Sequence, residues 1–369
     1  MSAFAIVAFF VALIAIILIH EFGHYLTARA YGFRVLEYFV GFGPKLWSFR
    51  RGEIEYGVKA IPAGGYVKIA GMDPFNDDVP PGDEHRAYSA KPTWQRALVI
   101  LAGPMSHFLV AGLIFAALLF FVGDGWRVKV GEVTPTIGGA ASPAVAAGLR
   151  PGDTIVRIGD VQDPSRDALG AYLAAHPGQQ VPLTVERDGK TFEVTITPVH
   201  DTSLTPPIWR IGVVLGPVRR PVLSSLTGGA TQVWQYTKVS LQQIGHVFGP
   251  QGVHRIFTLL FTNAPRSEGD ATSVVGVSQQ VGAIGGSGNW AAFFFVFAYV
   301  TLFIGLVNLL PLPPFDGGHL AILLIEKVRG RRIDMRRVVP VSAAVLVFLG
   351  FFVLSTMLLD VVKPIPIGP

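Results

Sequence analysis

Four stretches of the chain consist almost entirely of apolar residues, and each is long enough to cross a bilayer as a helix. They cover residues 3–19, 97–122, 290–310 and 338–362, and the third continues past a group of prolines into residues 320–325. The first stretch carries no charge and measures roughly 25 Å as a helix. A cleaved signal peptide is the alternative, but the stretch lacks a basic beginning and an A-x-A-like cleavage site. The pattern therefore predicts a multipass α-helical membrane protein with about four spans.

The composition agrees with a membrane protein. Charged residues make up 15% of the 369-residue chain, hydrophobic residues make up 50%, and the mean hydropathy is +0.48. A soluble protein with so few charges would not cover its surface, so we expect the lipid bilayer to be a partner. The formal net charge of +5 is a weak signal where cytoplasmic loops carry excess Lys and Arg, and we expect no nucleic-acid partner.

The loop between the last two apolar stretches is strongly basic, with only Glu326 and Asp334 as acidic residues. Its basic residues are Lys327, Arg329, Arg331, Arg332, Arg336 and Arg337. Because cytoplasmic loops carry such an excess, we expect this loop to be cytoplasmic. Four spans then place both termini on the extracytoplasmic side of the membrane, together with the segment between the second and third spans. Residues 21–96 would lie on the cytoplasmic side.

The outer segment contains runs of alternating apolar and polar residues, which predict strands between residues 128 and 199. These runs surround the sequence SPAVAAGLRPGDTIVRIGD, and a helix is predicted near residues 166–175. The AGLRPGD-I-IG pattern resembles PDZ domains of bacterial protease-associated proteins, which bind an extended peptide at a sheet edge. We therefore expect one extracytoplasmic PDZ-like α+β domain at residues 126–200. The alternative is a spacer that only occupies volume.

Residues 201–289 are predicted to link this domain to the third span. Within them, residues 221–261 mix aromatic and polar side chains without a clean apolar run of membrane-spanning length, which predicts an amphipathic helix on the outer membrane surface. His246 and His254 lie in this helix, and we interpret them as interfacial polar residues and not as a second metal site.

The first apolar stretch ends in an H-E-x-x-H motif formed by His20, Glu21 and His24. Residues four apart share a helix face, so both imidazoles can reach one Zn²⁺ while Glu21 takes a proton from a water molecule. The alternative is a pair of interfacial histidines without a metal. Three ionisable groups at the end of an apolar span are costly in lipid unless they face an internal polar site, which favours the metal site.

A catalytic zinc site with two histidines needs a third protein ligand. The metzincin pattern is excluded because Thr27 and Ala30 occupy the positions of its glycine and third histidine. The chain has no cysteine, so the ligand must be an imidazole or a carboxylate. The acidic residues downstream of the motif are formal candidates, and these are Glu37, Glu53 and Glu55.

Asp316 is the third ligand that the sequence favours. It follows the sequence NLLPLPPF, which begins at residue 308, and it precedes Gly317 and Gly318. Three prolines break the helix here, and irregular backbone at membrane depth is tolerated only where protein buries it or where it lines a wet cavity. A carboxylate beside such a break is typical of a functional site. The alternative is a helix hinge at which Asp316 only caps the next segment.

The two motifs together resemble those of the site-2 proteases, the family of intramembrane zinc metalloproteases, and among these the regulator of sigma-E protease and its actinobacterial relatives. The family pairs H-E-x-x-H with N-x-x-P-x-P-x-L-D-G, and Phe315 replaces the Leu here. The resemblance implies three Zn²⁺ ligands, a general base and a residue that helps to hold the substrate backbone. The implied Zn²⁺ ligands are His20, His24 and Asp316. The implied general base is Glu21, and the residue that helps to hold the substrate backbone is Asn308.

Other stretches agree with this resemblance. Residues 33–71 contain GFGPKLW and IPAGGYVKIAG, and they resemble the membrane-associated β-hairpin region of the family. Ala102, Gly103 and Pro104 open the second span as in the family, but His107 stands where the family often has an Asn. We interpret His107 as a polar core residue, with a fourth metal-site group as the alternative. One PDZ-like domain is predicted here where the sigma-E protease has two.

The resemblance implies regulated intramembrane proteolysis, with residues 1–122 and 290–369 as the membrane domains that carry the two motifs. The expected substrate is a single-span membrane protein of the anti-sigma factor type that an upstream site-1 protease has shortened on its outer side. Remnant signal peptides are a further class. The active site is expected toward the cytoplasmic side. The alternatives are a catalytically inactive PDZ-bearing scaffold and a transporter, although the chain has no internal repeat that would favour a transporter.

Overall fold

The computed structural model describes residues 3–73, 78–123, 128–203, 207–216, 220–267, 269–286 and 289–365. These residues form two compact units, which are described separately. One unit lies within Met1–Phe115 and Gly229–Pro369, and the other within Ala116–Gly228.

Helix α1 covers Ala3–Ala30 and is longer than the first apolar stretch. It ends before Gly32, whose φ of 68° lies in the left-handed region that glycine adopts readily. The amide of Phe33 donates to the carbonyl of Ala28 at 2.9 Å and closes the helix end. The H-E-x-x-H motif therefore lies on regular helix and not at a frayed terminus.

Two long strands follow, β1 at Val35–Arg51 and β2 at Ile54–Ile69, and they pair with each other twice. Tyr38 lies opposite Val67 on one side and opposite Tyr56 on the other. Gly41 and Gly43, with φ values of 85° and 82°, let β1 fold back on itself. The four rows of this sheet are, in order, residues 65–69, 35–40, 54–58 and 45–51. Residues 65–69 therefore form one edge.

Helix α2 covers Thr93–Phe121 and contains Pro104. The hydroxyl of Ser106 donates to the carbonyl of Gly103 at 2.6 Å, next to this proline. Ala111 and Phe115 are fully buried, so one face of α2 belongs to the protein interior.

The second unit is built on a six-stranded antiparallel sheet. Its elements are β3 (Val128–Val133), β4 (Thr136–Ile137), β5 (Ala140–Ala141), α3 (Pro143–Ala146), β6 (Thr154–Ile158), β7 (Val161–Gln162), α4 (Arg166–Ala175), β8 (Val181–Arg187), β9 (Lys190–Ile196), β10 (Val199–Asp201), β11 (Ile208–Arg210) and β12 (Val213–Gly216). The strand order is β12-β3-β6-β8-β9, β7 pairs with β6, and β4-β5 and β10-β11 form separate pairs.

The core of this unit forms where α4 covers the sheet. Leu169 and Leu173 of α4 are buried in one cluster with Ile155, Leu183 and Val185 of the sheet. Ser165 caps α4 by accepting a hydrogen bond from the amide of Ala168. The helix lies where the sequence predicts it, and the predicted domain start at residue 126 lies outside the described residues.

Three helices come next in the chain. They are α5 (Val222–Phe248), α6 (Pro250–Phe261) and α7 (Val274–Gly286). Residues 221–261, where the sequence predicts an amphipathic helix, contain the two helices α5 and α6, which are divided at Gly249 and Pro250. Proline lacks an amide hydrogen and cannot continue α5, whereas it is well suited to the first position of α6.

Helix α8 covers Trp290–Asn308, α9 covers Asp316–Arg329, and α10 covers Val339–Val362. The irregular segment between α8 and α9 is the break that the prolines predict. Among the described residues, α1, α2, α8 and α10 are long and apolar enough to cross a membrane, judged by length and composition. These four candidate spans agree with the number that the sequence predicts. One buried cluster joins α1, α7 and α8, and it contains Ala5, Phe9, Ile16, Val281, Phe293 and Phe297.

A buried ion pair anchors the beginning of α7. Arg266 donates from Nη1 to Oδ1 of Asp360 on α10 at 2.7 Å, and both side chains are 1% exposed. The other carboxylate oxygen accepts from the amides of Ser273 and Gly276 at 2.7 and 3.1 Å. The Asp360 carboxylate therefore satisfies amides that a helix N-terminus leaves unpaired.

Candidate metal centre

Two histidines of α1 and one aspartate of α9 converge. The Nε2 atoms of His20 and His24 lie 3.1 Å apart, and Oδ2 of Asp316 lies 3.1 Å from the first and 3.5 Å from the second. These side chains are 11, 13 and 22% exposed, so the group is largely screened from solvent. The structure thus brings together the three residues that the sequence predicts as zinc ligands.

The backbone after the helix break fixes the place of Asp316. Asp316 is the first residue of α9, and Gly317 and Gly318 follow it at close backbone contacts. A Cβ on Gly317 would lie 2.2 Å from the carbonyl oxygen of Leu309, and one on Gly318 would lie 2.4 Å from the nitrogen of Pro313. Only glycine fits these positions, so the Asp-Gly-Gly sequence lets α9 begin directly against the preceding loop.

Each histidine is also held through its second ring nitrogen. Nδ1 of His24 lies 2.8 Å from the carbonyl oxygen of Val99 on α2. A carbonyl only accepts, so Nδ1 of His24 carries the proton, and Nε2 of the neutral ring keeps the lone pair that a metal ligand needs. Nδ1 of His20 lies 3.0 Å from Nε2 of His107, which is 1% exposed. Both contacts come from α2, so this helix orients both histidines.

Small residues allow α1 and α2 to meet at the site. A Cβ on Gly23 would lie 2.5 Å from the carbonyl oxygen of Ala102. A Cβ on Gly103 would lie 2.3 Å from Nε2 of His24 and 2.9 Å from Cε1 of His20. The space that the histidine rings occupy therefore exists only because residue 103 has no side chain.

Glu21 lies between the histidines and the sheet. Its carboxyl interacts with the imidazoles, with Asp316 and with the backbone amide of Val67 in the edge row of the sheet. A Cβ on Gly65 would lie 3.3 Å from Cγ of Glu21, so this edge approaches the glutamate closely. The hydroxyl of Tyr38 donates to the carbonyl of Leu18 at 3.0 Å and ties the sheet to α1.

The other candidate ligands have different partners. Glu37 accepts a hydrogen bond from Tyr66 at 2.5 Å, and Glu55 pairs with Lys45. Glu53 pairs with Arg34 and with Arg86, so none of the three glutamates joins the histidines. Asn308 is the last residue of α8 and is half-buried. Among the described residues, no hydrogen bond joins its side chain to the converging group.

The donor set fits a catalytic zinc ion. Two imidazole nitrogens and one carboxylate oxygen lie within 4.8 Å of one another, and such a set leaves a fourth position open for water or substrate. Across the part of the chain that the structure describes, this is the one group of three or more such side chains that could hold a metal. His246 and His254 form no second centre there.

The sequence profile described as Peptidase family M50 matches residues 8–353. The chain belongs to peptidase family M50. Zinc metalloprotease Rip1 of Mycobacterium bovis (strain BCG / Pasteur 1173P2) is 34% identical over 98% of this chain and 98% of its own. Metalloprotease MmpA of Caulobacter vibrioides is 30% identical over 88% of this chain and 87% of its own. Zinc metalloprotease RasP of Geobacillus kaustophilus is 28% identical over 97% of this chain and 96% of its own.

The predicted family, reaction class and cofactor are confirmed by these relatives. The chain is a zinc metalloprotease of the site-2 type, and its four apolar helices suit a multipass membrane enzyme. These matches favour the protease over the transporter and the inactive scaffold. The sequence did not connect Val99, Gly103 and Gly65 to the site. It also did not show that His107 is the partner of His20.

Proposed function

We propose that this M50 peptidase hydrolyses a peptide bond in or near the transmembrane segment of a single-span protein. The observation that carries this proposal is the convergence of His20, His24 and Asp316 at the far end of an apolar helix. A hydrolytic centre at that place is reached most directly by a peptide that itself lies in the bilayer. An upstream site-1 protease would first shorten the substrate on its outer side.

The three converging side chains are proposed to hold Zn²⁺. When bound, this ion acidifies water and polarises a peptide carbonyl. In this proposal the Nδ1 protons of His24 and His20 form hydrogen bonds with the carbonyl of Val99 and with His107. Each neutral ring then offers the lone pair of Nε2 to the metal ion. Glu21 is proposed to accept a proton from the attacking water and to deliver it to the leaving amine. Its place beside both histidines supports this role.

The edge of the sheet is proposed to hold the substrate. Within the described residues, row 65–69 is paired on one side only, with row 35–40, and it approaches Glu21 at Gly65. A protease site cuts extended chain, so an unwound substrate segment can add to this edge as a further strand. Asn308 is proposed to help hold the substrate backbone. The exposed apolar side chains of the sheet, such as Leu46 and Trp47, favour a location at the membrane.

The remaining parts are proposed to arrange the enzyme in a cell membrane. The basic loop between α9 and α10 would lie in the cytoplasm, with the active site toward that side and residues 128–216 outside. We propose that this outer unit is a PDZ-like domain, which its antiparallel sheet with a covering helix supports. It would either admit shortened substrates by size or hold their new C-terminus. Anti-sigma factors and remnant signal peptides are the proposed substrate classes.

Reconstituted enzyme tests this proposal. Proteoliposomes would hold the peptidase together with a single-span substrate that either keeps or lacks its outer domain. We expect cleavage of the shortened substrate only, at a bond that mass spectrometry locates in or near its span. Asp316→Ala should lose both zinc and cleavage. Cutting at a bond far from the span, or equal cutting of the two substrates, would contradict the proposal.

A further inference from the structure

A cavity of about 690 Å³ lies between the last turns of α1 and the sheet of β1 and β2. It is separate from the metal centre and has no part in the chemistry proposed above. Its lining residues are Phe22, Tyr25, Arg29, Tyr38, Phe49, Arg51, Gly52 and Tyr56. Most of these side chains are aromatic, and two carry a guanidinium group.

Three rows of the sheet supply one side of this cavity. Tyr38, Tyr56 and Phe49 lie opposite one another in neighbouring rows. The rings of Phe49 and Tyr56 stack at 5.4 Å, and those of Tyr38 and Tyr56 lie 6.2 Å apart. Arg51 follows Phe49 by two residues and therefore projects to the same face of the sheet. The sheet thus offers an aromatic surface that ends in a cation.

Helix α1 supplies the other side. Phe22, Tyr25 and Arg29 are spaced by three and four residues and share one face of the helix. The hydroxyls of Tyr25 and Tyr56 lie 2.7 Å apart, and Nη1 of Arg29 donates to the Tyr25 hydroxyl at 3.2 Å. Burial, with help from Tyr25, raises the pKa of Tyr56 to about 12, so this hydroxyl stays protonated. Hydroxyl and guanidinium groups therefore meet at the same end of the cavity.

The charge balance of this cavity is positive among its lining residues. Among the described residues, neither Arg29 nor Arg51 forms an ion pair. The nearby carboxylates are already engaged, because Glu53 pairs with Arg34 and Arg86 and Glu55 pairs with Lys45. Two exposed guanidinium groups beside aromatic rings form a site for an anion that also has an apolar part.

We propose that this cavity binds the phosphate headgroup of an anionic phospholipid. Three observations favour a lipid. Among the described residues Arg29 and Arg51 lack a carboxylate partner, the lining is aromatic, and the rim is apolar, with Phe22 48% and Phe49 45% exposed. The acyl chains would lie along that rim. The cytoplasmic flank of a single-span substrate is rich in Lys and Arg, which these arginines would repel, whereas anionic headgroups are concentrated in that leaflet. The proposal rests on the orientation proposed above.

A lipid at this site would brace the sheet against the catalytic helix. Tyr25 lies one helical turn after Glu21, and Tyr38 both lines the cavity and donates to the carbonyl of Leu18. Occupancy would therefore hold the sheet rows beside Glu21 without touching the reacting groups.

Lipid retention by the purified full-length chain tests the proposal. Native mass spectrometry would compare phosphatidylglycerol with phosphatidylcholine bound to wild type and to the double variant Arg29→Ala/Arg51→Ala. We expect wild type to prefer phosphatidylglycerol and the double variant to bind it at least about tenfold more weakly. The matched control Arg50→Ala/Arg331→Ala removes the same charge at exposed positions outside the cavity and should bind like wild type.

Three results would overturn the lipid assignment. They are equal retention by the double variant and the control, no preference for phosphatidylglycerol, and displacement of the lipid by millimolar inorganic phosphate, which would indicate a site for the free anion. Zinc content and cleavage of a short peptide in detergent are measured in parallel. If these persist while lipid retention is unaffected by the double variant, the cavity proposal fails and the proposed protease function stands.

Discussion

Nδ1 of His20 lies 3.0 Å from Nε2 of His107, and both side chains are buried. Because Nε2 of His20 faces Asp316 at 3.1 Å, zinc binding requires the lone pair on that nitrogen and the proton on Nδ1. Nε2 of His107 must then accept this proton in a hydrogen bond. We therefore infer that His107 is a positioning residue of the proposed zinc site and does not offer the same nitrogen as a fourth ligand.

Replacing His107 by Phe is expected to weaken zinc binding by about 10- to 100-fold, because Nδ1 of His20 loses its acceptor. His107→Asn should retain more affinity, since its side-chain oxygen can accept the same hydrogen bond. Competition with a fluorescent chelator measures the zinc dissociation constant of each purified variant. His254→Phe is the control, because this residue lies on α6 away from the centre. Equal zinc affinity in wild type and His107→Phe would rule out the positioning role.

Glu21→Gln is expected to reduce peptide hydrolysis by about 10²- to 10⁴-fold, because the amide cannot take the proton of the attacking water. The zinc content should stay at the wild-type level, since Glu21 is not among the converging ligands. Cleavage of a reconstituted substrate and elemental analysis of the same sample check both statements. Loss of zinc together with activity would assign Glu21 to the ligand set instead.

Gly103→Ala is expected to remove most bound zinc, because the added Cβ would lie 2.3 Å from Nε2 of His24. Backbone and rings would have to shift, which separates the histidines from Asp316. Gly350→Ala is the matched control, since a Cβ at this position in α10 meets no atom within 4 Å. Elemental analysis measures the zinc content of both purified variants. Equal zinc content in the two would contradict the steric role of Gly103.

Asp360→Asn is expected to lower the free energy of unfolding by about 3–5 kcal/mol, because it leaves the buried guanidinium of Arg266 without its counter-charge. Asp334→Asn in the basic loop is the control and should change stability by less than about 0.5 kcal/mol. Unfolding in detergent, followed by circular dichroism, provides the comparison. A variant as stable as the control would show that Arg266 has another charged partner.

Acidification is expected to remove the stabilisation that Asp270 provides. Arg255 donates to both carboxylate oxygens of Asp270, at 2.8 and 2.9 Å, and these bonds hold the pKa of the carboxyl below its usual value against the opposing effect of burial. The folded pKa is thus lower than the unfolded one, so the stabilisation is complete above pH of about 3.9 and is lost as pH falls through the folded pKa. Asp270→Asn should therefore lower the melting temperature at pH 7, and its deficit should shrink below pH of about 4. A deficit that does not change with pH would contradict this.

The converging residues could be predicted from the sequence because each signal is local. Histidines four apart share a helix face whatever the rest of the fold does, and a carboxylate beside three prolines in an apolar segment is costly without a partner. The contacts of Val99, Gly103 and His107 depend on how α1 crosses α2, which no spacing within one helix encodes. Small residues at Gly23 and Gly103 were the available signal, since they permit close helix packing.

The sheet illustrates a different limit. A run of 17 residues at β1 reads as one strand, and its alternation does not reveal that its first half pairs on both sides. Gly41 and Gly43, followed by Pro44, were the local signal of the reversal. The division of α5 from α6 is, by contrast, signalled locally by Pro250, which the amphipathic character of the segment does not reveal.

The length of α1 has a consequence for the products of cleavage. Its 28 residues measure about 42 Å, and His20 lies about 26 Å from its beginning, close to the far boundary of a hydrocarbon core of about 30 Å. A bond cut at that depth divides a substrate span unequally. The shorter product would keep only a few apolar residues and would partition into water without being extracted, while the longer product would stay dissolved in lipid.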